Sequence, residues 1–164
     1  MGVVAILATL TITAVGAAAS GWMIQSSRDL TDLQTTELNA TDGAHARMKA
    51  VRLSHGRTRV RLMVTGLDRL ASGSRFGAHV HTGPCVEGDG VSAGPHYTVT
   101  GSAPLSEREV WLDFTVGRGG TARASATVDF VIPQGGARAI VVHAMPTAVD
   151  GTAGPRMACI PVDF

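Results

Sequence analysis

The sequence has little of three things: aromatic residues, cysteine and net charge. Aromatics make up only 4% of its 164 residues, whereas glycine alone contributes 20. That balance suits a turn-rich β protein and argues against a helical bundle packed on large side chains. Lys49 is the only lysine among 14 basic residues, and the formal net charge is +1. With no basic run and no interleaved aromatics, nothing marks nucleic acid as a partner. Beyond the N-terminal segment no stretch keeps a helical period, and no internal repeat is visible. The length fits one domain with a real hydrophobic core.

What is present begins with a leader. Val3 to Ala19 is almost wholly apolar and ends in Gly16-Ala17-Ala18-Ala19-Ser20, a small-residue site of the kind signal peptidases cut. The run is short for a transmembrane span, and no Lys or Arg precedes it. Residues 1–19 are therefore expected to be a signal peptide, with an uncleaved membrane anchor as the alternative. Either way the globular part is secreted or in the cell envelope, and any membrane contact comes through this segment. Residues 20–36 are polar and patternless and read as a linker, leaving 37–164 as the domain. Asn39-Ala40-Thr41 is a glycosylation sequon, relevant only in a eukaryotic host.

Cys85 and Cys159 agree with export, where an even count implies a disulfide, and here only one pairing exists. Thiolate ligation of zinc or Cu(I) is the alternative, but neither cysteine lies in a Cys-x-x-Cys pair. Short strand patterns fill the rest. Thr58–Val64 alternates polar and apolar residues. Glu109–Val116 and Ala122–Phe130 flank Gly117-Arg118-Gly119-Gly120 as a hairpin would, and Ala137–His143 follows the turn Pro133–Gly136. Strands at this spacing predict an all-β fold, a Greek-key antiparallel sandwich or barrel of immunoglobulin-like kind.

The chemistry resides in histidines. His79 and His81 stand two apart in Phe76-Gly77-Ala78-His79-Val80-His81, so on a strand both rings face one way. His96 follows Gly94-Pro95, and His143 ends Ala139-Ile140-Val141-Val142. His45 and His55 lie in less ordered surroundings and read as surface residues. Four imidazoles without a thiolate suit Cu(II); zinc would also bind them, whereas calcium and magnesium want oxygen ligands.

Gly77-Ala78-His79-Val80-His81 with Cys85, Gly94-Pro95-His96-Tyr97, His143, and Gly154-Pro155-Arg156-Met157-Ala158-Cys159 resemble, in order, the landmarks of copper/zinc superoxide dismutases. Thr65-Gly66-Leu67 resembles the family's turn, and the resemblance runs from about Glu37 to the C-terminus. It implies that His79, His81, His96 and His143 ligate copper. His96 would stand where the family's histidine bridges to zinc, and would serve in catalysis. Arg156 would be the catalytic guanidinium that attracts superoxide, and Cys85–Cys159 the family disulfide.

The departures define the expected variant. No histidine lies between His96 and His143, so the family's further zinc histidines are missing. By the resemblance Asp113 would stand where the zinc aspartate does, but one carboxylate with His96 falls short of the four protein ligands of structural zinc. The segment from His143 to Arg156 is short, with Asp150 its only acid. A copper enzyme without zinc is expected, one copper per chain, with Glu109 or Asp113 as the partner that orients the far nitrogen of His96. The alternative is a non-catalytic copper-binding protein for buffering or transfer, for which Arg156 would have no use. A zinc hydrolase would need an open coordination position and a positioned base, and the sequence nominates none. Oligomeric state is not legible.

Overall fold

The computed structural model describes residues 22–164; the leader, residues 1–19, lies outside the described residues. Two four-stranded antiparallel sheets face each other. The first has the order β1 (Met23–Asp29), β3 (His45–Leu53), β4 (Arg57–Thr65), β8 (Thr121–Val128). The second has the order β2 (Thr31–Asp32), β10 (Arg156–Pro161), β9 (Ala139–His143), β6 (Ala78–His81). A two-stranded piece, β5 (Arg75–Phe76) with β7 (Phe114–Thr115), closes one side. Among the described residues the one α-helical turn, α1 (Leu105–Arg108), is four residues long, in keeping with the missing helical period.

Alternation builds the core. Ala46, Met48 and Ala50 of β3 and Val60, Leu62 and Val64 of β4 point inward against Ala78, Val80, Ile140, Val142 and Ile160 of the second sheet. Val60, Ile140 and Ile160 are fully buried, each worth roughly 1.5–3 kcal/mol of transfer free energy. The second sheet is buried on its other face as well. There Leu33, Ala93, Ala139, Val141 and Cys159 form a smaller cluster beneath Cys85. Burial on both faces explains why Ala139–Val142 reads as an unbroken apolar run. The disulfide Cys85–Cys159 ties the loop after β6 to β10, with Cα atoms 5.9 Å apart.

Two expectations need correction. The stretch 20–36 is not a linker throughout, because β1 pairs along its whole length with β3, from Met23↔Val51 to Asp29↔His45, and β2 pairs with β10. Trp22, Ile24 and Leu30 pack against the core. Ser26 breaks the apolar alternation between them because its hydroxyl spans the gap to the second sheet, donating to Pro161 O at 2.8 Å. The segments 109–116 and 122–130 do not form a hairpin either. β8 pairs with β4, while Glu109–Val116 bridges to Thr98 and His79 and joins β5. Val110, Leu112, Phe114 and Val116 enter the core, so the alternate residues Glu109, Trp111 and Asp113 are left on the opposite face. Asn39 turns out to be locked in the fold. Its Oδ1 accepts from Thr41 N and Oγ1, and its Nδ2 is buried, leaving no room for a glycan.

Candidate metal centre

His79 and His81 lie on β6 with Ala78 and Val80 committed to the core, so both rings emerge on the outer side of the second sheet. His143, at the end of β9, comes from the neighbouring strand. His96 is brought in from the long loop by a bridge to His81. One nitrogen from each of the four rings lies within 4.8 Å of the other three.

The remaining nitrogens fix the rings. His81 Nδ1 donates to Gly94 O at 3.0 Å and His143 Nδ1 to Gly154 O at 3.2 Å. His96 Nδ1 donates to Glu109 Oε2 at 2.8 Å, and the same oxygen accepts from Trp111 Nε1 at 2.8 Å. His79 is held the other way round. Its Nε2 donates to Thr147 Oγ1 at 2.6 Å, and that hydroxyl donates to Asp113 Oδ1 at 2.5 Å. Each tautomer follows from its hydrogen bond, so three rings present Nε2 to the interior and His79 presents Nδ1. His79 Nδ1 is a buried nitrogen with no partner, and His81 Nε2 lies 3.3 Å from His143 Nε2. Four imidazole nitrogens converging in a buried site, one of them orphaned, fit a bound transition-metal ion.

The electrostatics agree. Burial holds the His79 ring far below the ordinary histidine range, assisted by His96, His143 and His81. Burial lowers His81 to about 3 against the opposing Gly94 hydrogen bond, and His143 to about 4 against that of Gly154. Arg156 pushes both in the same direction. All three rings therefore stay uncharged, as metal ligation requires.

His96, His143, Asp150, Gly154 and Arg156 line a cleft that opens the site to solvent, whereas His79 and His81 are fully buried behind it. Arg156 pairs in register with His143, and its Nη1 donates to Gly90 O at 2.6 Å, which fixes the guanidinium beside the rings. A family model, described as copper/zinc superoxide dismutase (SODC), matches residues 42–161. The chain belongs to that family. The crystal structure of the clock protein EA4 shares the superoxide dismutase-like fold with a TM-score of 0.56 and 20% identity, covering 75% of this chain and 88% of that one. No curated protein sequence matches the chain.

Against the superoxide dismutase expectation, the structure gathers all four histidines and Arg156 in one place and forms the family-type disulfide. It separates the two carboxylates. Glu109, 5% exposed, meets His96; Asp113 instead accepts from Thr147 N at 2.9 Å and Thr147 Oγ1, with Arg75 Nη2 at 3.5 Å. Two further residues contribute to the site, Trp111 and Thr147. Trp111 shares a strand face with Glu109 at a spacing of two, a signal that was available. Thr147 lies 68 positions from His79 in an irregular loop, and no local pattern announces it.

Gly77 and Gly151 let the loop after β9 close over this site. A Cβ on Gly77 would sit 2.8 Å from both Ala153 Cβ and Met145 O. Gly151, at φ +83°, lies against the His96–Glu109 pair, and a Cβ there would be 3.7 Å from Glu109 Oε2.

Proposed function

We propose that the chain is an exported superoxide dismutase that holds one copper ion on His79, His81, His96 and His143 and works without zinc. The observation that carries this reading is the inward convergence of four imidazole nitrogens whose outer nitrogens are all fixed by protein groups. Copper bound there supplies reversible one-electron exchange, so that two superoxide ions and two protons become dioxygen and hydrogen peroxide.

The residues of the chain do the rest. Arg156 carries a fixed positive charge at the cleft and draws in a small anion. His96 Nε2 can accept and return a proton, and Glu109 keeps the ring oriented throughout by holding Nδ1–H. That carboxylate supports the zinc-free reading, because it occupies the nitrogen that a bridging histidine would offer to a second metal. Among the described residues no second group of three His, Cys, Asp or Glu gathers beside it. The disulfide and the apolar leader support export.

The experiment is metal analysis of the purified protein followed by superoxide decay after loading with copper alone. Full activity that added zinc does not raise is expected. Copper occupancy without dismutation would sink the enzyme reading, and a requirement for zinc would sink the copper-only reading. Arg156→Ala should bind copper normally yet dismute about tenfold more slowly, with a weaker salt dependence. An unchanged rate would favour copper buffering or transfer instead.

A further inference from the structure

The sheet opposite the copper site carries a charge pattern that neither the fold nor the dismutase reading uses. On the outer face of the first sheet stand Arg47 and Lys49 of β3, Arg57, Arg59 and Arg61 of β4, and Arg123 of β8. The only acid among the outward residues of those strands and β1 is Asp29, at a corner, where it pairs with His45. None of the six cations forms an ion pair among the described residues.

The whole chain has a formal net charge of +1, so the rest of the domain is net acidic and the molecule is polarised. Register sharpens the point, because Lys49 lies directly opposite Arg61. Like charges in that position destabilise a sheet, so folding does not explain them. The linear sequence hides the cluster by interleaving it with the apolar residues Val60 and Leu62, which point into the core.

We propose that this face docks on bilayers bearing anionic phospholipids, its six cations meeting headgroup phosphates. Two features select a bilayer over a threadlike polyanion. The charges spread in two dimensions over three strands instead of following a track, and no aromatic side chain stands among them for bases to stack on. The apolar stretch Val3–Ala19 also ends four positions before Met23, the exposed first residue of this sheet's edge strand. Four residue steps span no more than about 15 Å, so a membrane engaged by that stretch lies within reach of the face. Docked in this way, the domain turns its copper cleft outward to solvent. The inference does not depend on the copper site.

Co-sedimentation of the full chain with vesicles tests it, comparing phosphatidylcholine alone with phosphatidylcholine mixed with phosphatidylglycerol. Binding should be stronger with phosphatidylglycerol, and that excess should fall steeply as ionic strength rises and the Debye length shrinks from about 10 Å at 0.1 M to about 3 Å at 1 M. Each cation near such a surface is worth about fivefold, so R47Q/R61Q/R123Q should lose about 100-fold. A control with the same charge change elsewhere, R69Q/R118Q/R138Q, should lose far less. Circular dichroism and thermal melting verify that both variants are folded. Equal binding to both vesicle types, or equal losses in the two variants, would overturn the proposal. So would retention on a sulfated polysaccharide resin with no vesicle binding, which would assign the face to a soluble polyanion.

Discussion

Acidifying the copper-free protein from about pH 7.5 to 5.5 should weaken its fold. His79, His81 and His143 are 0%, 0% and 4% exposed and stay neutral in the fold, with His81 and His143 lowered to about 3 and about 4 and His79 lower still. In the unfolded chain each titrates near the ordinary 6.5. Between those values the unfolded state binds protons that the native state cannot, so stability is present above pH 6.5 and falls as pH drops below it. From pH 7.5 to 5.5 each ring contributes a loss of about 1.3 kcal/mol, and the three together about 4 kcal/mol. That is a large share of a typical domain stability of about 5–15 kcal/mol. It corresponds to a fall in Tm of roughly 10–20 °C. Urea denaturation of chelator-treated protein, with the disulfide intact, measures it across that range. A flat profile, or a slope below one proton near pH 6, would refute the claim that the empty cage is held neutral by burial.

Three further outcomes follow from the contacts around the site. Glu109→Ala leaves His96 Nδ1 without its acceptor and should cost about 10–100-fold in copper affinity or dismutation, measured by competitive chelation and superoxide decay. Thr147→Val removes the acceptor of His79 Nε2 and should weaken copper binding by a similar factor, with the Cu(II) spectrum altered; Thr147→Ser should restore both. Gly77→Ala forces a methyl against Ala153 and Met145 and should destabilise the protein by about 1–3 kcal/mol in denaturant, while loosening the loop that holds Thr147.

Much of the fold was legible where burial is one-sided. β4 and β8 alternate cleanly, and the two-sided burial of β9 gives a plain apolar run. β1 is hidden in the sequence because Ser26 and the exposed Arg28 sit where apolar residues would, the Ser26 hydroxyl spent on Pro161 O. The pairing of Glu109–Val116 is not legible because a glycine turn between two strand-like stretches fits a hairpin and a crossing between sheets equally well. At the site, residue types and spacing sufficed for the four histidines. Which carboxylate meets His96 did not follow, since Glu109 and Asp113 share a strand face and only the three-dimensional path of the loop carrying Thr147 tells them apart. The cationic sheet face was likewise invisible until strand register put Lys49 beside Arg61.

The disulfide has a consequence for the chain before it folds. The 74-position span from Cys85 to Cys159 contains His96, Glu109, Asp113, His143, Thr147 and Arg156, and His79 and His81 lie just ahead of it. Once oxidised, the unfolded polypeptide is a closed ring carrying nearly every residue of the site. Its ligands meet one another far more often than they would on an open chain. Copper can then be captured by the unfolded ring as well as by the finished domain, so the metal stabilises the oxidised protein less than it would a protein whose loose chain ignores copper. Closing the bridge thus raises the local concentration of the ligands before the sheets pack.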